Sequence, residues 1–401
     1  MGEKIRDQVM DLAQKYHFSI DLINRFCFYY GYSRSEKIIQ ALKEHPKTYA
    51  LRVNTLLTTP EELIASLAEK EISAKQHPVI KEAVLVDVIG PIELQLKEKS
   101  VIAHRAAANK VITGSSLVSA GIAQQENLNI GDEVSIVDKY SSHVGNGIVM
   151  MSSSEINSQK NGIAVKVTES RYKLHNLQNL KEFLRGHFIE QSLPSMIIGA
   201  QIDLKPEDRV FDMSVGEGEI LTHVWQRNSN IKSRIIANEN STTKVQKFED
   251  NLKRLRMRNN PFEIMNIGLK HIQNKFNRDE TFDWIILTPP CSEIGLRPKV
   301  ADTTPEQHIV KLVQLQKRFM QIAARLIKPR GTIFYSTSSL DQQENEGLIQ
   351  FAVEELGLKV AIQNIFLGEH GNTSFQGAEN LQHFYPDMND TDGYFIAKLT
   401  K

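Results

Sequence analysis

Arg209-Val210-Phe211-Asp212-Met213-Ser214-Val215-Gly216-Glu217-Gly218 decides the fold, because an apolar strand runs into an acid and the acid into a glycine turn. A glycine pair after a strand lets the backbone approach a ligand closely at the head of the next helix, which fits a nucleotide-like cofactor. Taken alone, the stretch reads equally well as a plain strand-to-helix turn. Its surroundings set the class. Arg234-Ile235-Ile236-Ala237-Asn238-Glu239 leads into a helix expected over Thr242 to Arg256. Phe282-Asp283-Trp284-Ile285-Ile286-Leu287 ends at Pro289-Pro290. A long helix over Pro305 to Leu326 precedes Gly331-Thr332-Ile333-Phe334-Tyr335-Ser336, and Gly393 to Leu399 reads as a last buried strand. Strand-like runs alternating with helical ones are the signature of an open α/β sheet.

Upstream the texture differs. From Ile5 to His45 apolar residues recur at helix spacing. Leu51 to Thr55 is strand-like, and Thr59-Pro60-Glu61-Glu62 opens a helix, with threonine as cap, proline in the first turn and acids at the positive end. Val84 to Val88 and Ile92 to Leu96 read as further strands. From Lys99 to Thr168 short β-rich pieces, among them Ile112, Val118, Ile122 and Val134 to Val137, alternate with glycine turns. That pattern predicts a small β-barrel-like module, with the polar stretch Ser152 to Gly162 as a loop. Three domains are expected: an N-terminal helical and α/β region over 1–98, the β-rich module over 99–172, and the α/β domain over 173–401.

The 401 residues, 41% hydrophobic and 24% charged, suffice for more than one core. Lys and Arg number 48 and so do Asp and Glu, so any nucleic-acid binding must come from local basic faces. Two distant cysteines, Cys27 and Cys291, exclude a disulfide framework and a cysteine-rich zinc site. No metal site is expected. The start lacks a basic-then-apolar signal pattern, and no apolar run is long enough to span a bilayer. A cytoplasmic protein without membrane contact is therefore expected.

Four elements can carry chemistry. The first is the glycine turn. The second is Glu239, at the end of the next strand, where a carboxylate can accept both hydrogen bonds from a vicinal diol. The third is Thr288-Pro289-Pro290-Cys291-Ser292, which puts a cysteine at a strand's carboxyl end behind two stiffening prolines. The fourth is Tyr335-Ser336-Thr337-Ser338-Ser339-Leu340, followed by Glu344-Asn345-Glu346. Its hydroxyls suit a base or phosphate, or simply a polar strand-to-helix loop.

The order of the four is more specific than any one of them. Together with Thr222-His223, Gly295-x-Arg297-Pro298, Gln191-x-Leu193-Pro194-Ser195, Arg52-Val53-Asn54-Thr55 and Phe384-Tyr385-Pro386 through Phe395, the chain resembles the RNA cytosine-5 methyltransferases of the Nop/Sun (RsmB-like) type. The β-rich insert resembles a PUA domain, typical of the branch that acts on the tRNA acceptor end. The resemblance implies a Rossmann-like S-adenosylmethionine methyltransferase domain plus a small β-barrel PUA domain and a mixed α/β N-terminal region. It implies S-adenosylmethionine as cofactor, held by Asp212, Ser214, Gly216, Glu217, Gly218, Glu239 and Asn266, and RNA, tRNA first, as substrate.

The resemblance also exposes departures. The family attacks cytosine C6 with a cysteine thiolate, a strong nucleophile that can also leave. That position here is Ser338. The aspartate that steadies the base is Thr288, the loop lysine is gone, and the acid expected near adenine is Asn266. The second family cysteine is retained as Cys291. The catalytic set is thus Ser338, Cys291 and Thr288. Three outcomes follow: a non-catalytic RNA-binding paralogue, as the subunit of a catalytic partner or as a tRNA chaperone; an active enzyme attacking from Cys291; or a methyltransferase acting on another atom of RNA. For RNA contact the basic run Lys253-Arg254-Leu255-Arg256-Met257-Arg258 supplies Arg254 and Arg256, and the insert supplies Arg105, Lys110, Lys166, Arg171 and Lys173. Arg297 completes the set.

Overall fold

The computed structural model describes residues 3–159, 161–257, 261–276, 281–371 and 375–401; Arg258 lies outside them. The chain divides into two compact units. One comprises Met1–Lys47, Asp87–Asn176 and Arg297–Thr303, the other Thr48–Val86, Leu177–Leu296 and Thr304–Lys401.

The second unit is built on a nine-stranded sheet. Its path runs Phe262–Met265, Arg234–Asn238, Arg209–Asp212, Phe282–Leu287, Ile327–Thr337, Tyr394–Thr400, Gln382–Phe384 and Glu369–His370, with Lys359–Val360 also paired to Tyr394–Thr400. The first five strands are parallel and the rest antiparallel. Continuous apolar runs form these strands because both faces are covered. Alternate residues feed two separate cores: Phe211, Ile236, Ile285 and Ile333 enter one, and Val210, Ile235, Ile286 and Phe334 the other. The chain first builds outward from Arg209–Asp212 on one side, then returns on the other. That reversal makes a crevice at the carboxyl ends of Arg209–Asp212 and Phe282–Leu287, the expected place for a ligand in such sheets.

A smaller sheet in the same unit orders Phe188–Glu190, Thr48–Val53, Ala83–Asp87 and Ala74–Gln76. The Pro60–Ala68 helix beside it starts with the expected device: Thr59 and Glu62 form a reciprocal capping box with Pro60 in the first turn. Two buried polar contacts tie this sheet to the Glu219–Arg227 helix. Arg52 is fully buried and donates to Gln191 Oε1 at 2.7 Å, Thr222 Oγ1 at 2.8 Å and the Glu219 carbonyl. Burial pulls its guanidinium down to about 9. His223 Nε2 lies 2.7 Å from Glu82 Oε1, which also accepts from Arg227 at 2.9 Å.

Burial holds His223 down at about 4, so the fold keeps the imidazole neutral. A base whose folded pKa lies below its unfolded value is protonated first in the unfolded chain. Stability is therefore lost as pH falls from about 6.5 to 4. Urea unfolding midpoints should fall over that window, and His223→Gln should flatten the fall; an unchanged pH profile in the variant would refute the assignment.

The first unit opens on the helices α1 (Glu3–Tyr16), α2 (Ile20–Tyr30) and α3 (Tyr32–Leu42) and continues with a six-stranded module ordered Leu117–Val118, Ile163–Ser170, His143–Val149, Glu133–Val137, Lys99–Ala103 and Ile122–Gln125. Val101, Val134, Ile136, Val144 and Val165 form its core. Several sequence expectations are corrected here. Ile92 to Leu96 is not a strand: beyond isolated bonds, such as the one from the Ile92 N–H to the Arg171 carbonyl, it forms no ladder, and Leu96 is 76% exposed. The Ser152 to Gly162 stretch is not all loop, because Ser153–Ser158 is helical behind a Ser152/Glu155 capping box. Ile112 caps the Arg105–Val111 helix rather than joining a strand. The helix from Thr242 ends at Arg254, since Arg256 turns left-handed with φ 58°.

Candidate active site

The glycine turn is built as its residue types require. Gly216 has φ 61° and Gly218 φ 90°, the left-handed region open to glycine. A Cβ on Gly218 would lie 2.1 Å from the Phe248 ring, whereas one on Gly216 would meet nothing nearer than 3.9 Å, so the backbone there is open to a ligand. Glu239 leans over this turn. Its carboxylate accepts from the Gly216 N–H at 3.1 Å and the Ser241 N–H at 2.9 Å. Asn266 donates to the Glu239 carbonyl at 2.6 Å and so holds that strand end in place. Asp212 is buried and accepts from the Ser214 N–H at 3.1 Å. Burial, with Glu239 and Glu219 nearby, pushes its carboxyl up to about 8. Glu217 points to the exterior and pairs with Lys247 at 2.6 Å.

Thr288 and Ser214 close on each other. Ser214 Oγ donates to the Thr288 carbonyl at 2.8 Å, and Thr288 Oγ1 donates to the Ser214 carbonyl at 3.1 Å. The hydroxyl at 288 therefore latches two strand-end loops together.

Cys291 Sγ lies 3.4 Å from Ser338 Oγ, so the structure brings the two candidate attacking groups together. Burial, and then the negative charge of Glu344, push the thiol up to about 11. Below the pair sits a network that the sequence reading left without a role. Glu344 is fully buried and accepts from the Ser292 N–H at 2.9 Å, Ser339 Oγ at 2.5 Å, Gln316 Nε2 at 2.9 Å and the Ser292 hydroxyl. Gln316 also donates to the Pro290 carbonyl at 3.0 Å. One carboxylate thus binds the cysteine loop, the hydroxyl-rich loop and the Glu306–Leu326 helix. Asn345 adds to it, accepting from Thr337 Oγ1 at 2.6 Å and donating to the Ser339 carbonyl at 2.9 Å. Gly295 pins the end of the cysteine loop: its N–H donates to the Ser338 carbonyl at 2.9 Å, and a Cβ there would lie 2.4 Å from the Gly393 carbonyl oxygen. Tyr394, also missed, places its hydroxyl 3.2 Å from Ser336 Oγ.

The basic residues divide. Arg254 is a correction: its guanidinium donates to the Phe183 and Phe188 carbonyls at 3.0 and 2.9 Å and lies 3.8 Å from the Phe183 ring centroid. It is spent inside the fold, and burial lowers it to about 10. Arg105 is engaged with Asp302 at 3.5 Å and Thr303 at 3.3 Å. Lys110, Lys166, Arg171, Lys173 and Arg256 are exposed, while Arg297 is half-buried. Among the described residues no group of three His, Cys, Asp or Glu could hold a metal, and no helix is long and apolar enough to cross a membrane.

Residues 200–400 match the 16S rRNA methyltransferase RsmB/F family. The chain belongs to that family. Residues 22–93 of this RsmB/F-family chain match the ferredoxin-like domain found in RsmF/B-like methyltransferases, and residues 99–170 match the PUA domain. The fold is therefore a Rossmann-like methyltransferase domain with a PUA domain and a mixed α/β N-terminal region. The chain is 33% identical over 382 residues to the tRNA (cytosine(72)-C(5))-methyltransferase of Pyrococcus horikoshii, covering 93% of this chain and 94% of that protein. It is 24% identical over 431 residues to the tRNA (cytosine(72)-C(5))-methyltransferase NSUN6 of Homo sapiens, covering 91% of each. The crystal structure of NSun6 from Pyrococcus horikoshii with SFG superposes with a TM-score of 0.86 at 32% identity, covering 96% of this chain and 99% of that one.

Proposed function

We propose that this chain is a tRNA cytosine-5 methyltransferase that uses S-adenosylmethionine and attacks from Cys291 instead of Ser338. The observation that carries the reading is the 3.4 Å approach of Cys291 Sγ to Ser338 Oγ, which puts a thiol beside the position where the family carries its nucleophile. Among the described residues no imidazole or carboxylate bonds the Ser338 hydroxyl, and an unactivated serine stays protonated. Cys291 gives its proton to solvent, the thiolate forms the Sγ–C6 bond, and the C5–C6 π pair moves to C5. Once C5 carries the methyl group, water takes the C5 proton, and that C–H pair restores the double bond as the Sγ–C6 pair leaves with sulfur. The thiolate is regenerated.

The residues present fit the cofactor. When bound, S-adenosylmethionine supplies an electrophilic methyl group on a sulfonium. Glu239 offers a carboxylate for ribose hydroxyls, the Gly216 backbone is open, and Asp212 and Glu219 supply carboxyl groups that suit a cation once ionised. Asp212 predicts a pH signature. A cationic ligand favours the ionised carboxylate, so affinity should tighten as pH rises towards about 8 and level off above it. Calorimetric titration of S-adenosylmethionine should show this in the wild type and a flat profile in Asp212→Asn; a flat wild-type profile would count against the assignment.

Lys110, Lys166, Arg171, Lys173 and Arg256 are the exposed cations we assign to RNA backbone contact. Unmodified tRNA should bind with an affinity that falls linearly in log–log form with salt, because phosphate contacts release counterions. Salt-independent binding in a filter assay would overturn that. The domain reading 1–98, 99–172 and 173–401 is proposed alongside.

A second reading, a non-catalytic tRNA-binding paralogue, is favoured by two facts. The thiol is held near 11, and the base-steadying position is committed to the Thr288–Ser214 latch. Labelled S-adenosylmethionine, unmodified tRNA, wild type and Cys291→Ala separate the two. Incorporation at cytosine C5 that disappears in the variant supports the enzyme, and tRNA binding without incorporation supports the paralogue.

A further inference from the structure

The α2–α3 hairpin carries an aromatic surface that the site above does not use. Phe28 is 83% exposed, the highest of the large apolar side chains among the described residues. It continues into a chain of rings. The Phe28 and Tyr29 centroids are 5.6 Å apart, Tyr29 and Tyr30 6.1 Å, and Tyr30 and the buried Phe26 6.0 Å. Guanidinium groups accompany the rings: Arg25 lies 5.6 Å from the Tyr29 centroid and donates to its hydroxyl at 3.0 Å, and Arg34 lies 5.8 Å from the Tyr30 centroid.

Arg34 and Lys37 lie one turn apart on α3, and Glu36, the acid of that helix, pairs with Lys15 at 2.9 Å. An aliphatic protein partner would call for leucine and valine here. Flat rings edged by arginine and lysine are instead what unpaired nucleobases stack on while their phosphates find cations. Phe26 and Arg25 are buried and hold the half-buried Tyr29 and Tyr30 beside the exposed Phe28, which lowers the ordering cost of binding.

We propose that the Phe28–Tyr29–Tyr30 surface is a stacking platform for unpaired nucleotides of the RNA substrate. The proposal rests on the RNA reading above and adds a surface to it. Phe28 touches solvent on most of its area, so its replacement should leave the fold intact, which a thermal melt of each variant checks. Binding of the full chain to an unmodified tRNA transcript and to a short single-stranded oligoadenylate would be measured by fluorescence anisotropy for wild type, Phe28→Tyr, Phe28→Leu and Phe28→Ala. Phe28→Leu and Phe28→Ala should weaken both RNAs roughly tenfold, Phe28→Tyr should bind like wild type, and the salt slope should not change, because stacking releases no counterions. If wild type binds tRNA and Phe28→Leu binds it equally well, the platform is refuted while the RNA reading stands; an apolar partner that tolerates leucine is then the occupant. If wild type binds neither RNA, the RNA reading itself fails and the platform falls with it.

Discussion

Replacing Cys291 with alanine should remove methyl transfer to tRNA entirely, and in the wild-type chain the rate should climb about tenfold per pH unit from about 7 to 10. The reason is the thiol held at about 11 by burial and by Glu344. At neutral pH only about one molecule in ten thousand carries the thiolate by that value. Each unit of pH raises that fraction tenfold until the pKa is approached. The sign follows from a raised acid: alkali, not acid, creates the nucleophile. Ser338→Ala should retain activity within a few-fold, since it removes the 3.4 Å neighbour of the sulfur and not the attacking atom. Initial rates of labelled methyl incorporation across the pH range are the measurement. A pH-independent rate, or a Cys291→Ala enzyme as fast as wild type, would sink the assignment.

The second large effect is expected at Glu344. Glu344→Gln keeps the shape but exchanges a carboxylate oxygen for an amide that donates. The carboxylate is fully buried and meets four donors from Ser292, Ser339 and Gln316, two of them from Ser292. At least one donor must then face another donor. Hydrogen bonds to a charged group contribute about 1.5–3 kcal/mol each, and an unsatisfied buried donor adds its own cost, so a loss of about 2–4 kcal/mol of stability is expected. The same change removes the negative charge that raises the thiol. Alkylation of Cys291, followed in a Cys27→Ala background, should therefore show a midpoint below the wild-type value of about 11. A less stable protein with a more acidic thiol is the paired signature. A lower unfolding midpoint with an unmoved thiol would mean that the carboxylate is scaffolding alone.

Much of the α/β domain was legible because a parallel strand covered on both faces must be apolar throughout. Phe211 and Val210, or Ile285 and Ile286, feed opposite cores, so the run shows no alternation and stands out. The glycine turn, Glu239 and the cysteine loop were legible because they end such strands. The network around Glu344 was not, since Ser292 and Gln316 reach it from 52 and 28 residues away. Arg254 misled for a related reason: a basic run looks like a nucleic-acid face until the Phe183 ring and two carbonyls are seen to take its charge. Ser152 and Glu155 carried a readable helix start inside a stretch whose polarity pointed to a loop. Ile92 to Leu96 had strand-forming residues but makes isolated bonds, from the Ile92 N–H to the Arg171 carbonyl and from the Asn146 amide to the Gln95 carbonyl, and no ladder.

The reciprocal hydrogen bonds between Ser214 and Thr288 bear on the history open to this lineage. Each hydroxyl satisfies the other loop's carbonyl. An aspartate installed at 288 donates nothing once ionised, and it would bring a negative charge towards the Ser214 carbonyl and the acids around Asp212. A carboxylate there removes the Thr288 half of the latch, while the Ser214 hydroxyl can still donate to the backbone carbonyl at 288. A single substitution to aspartate therefore begins with the loss of one hydrogen bond, about 1 kcal/mol, before the carboxylate finds a use.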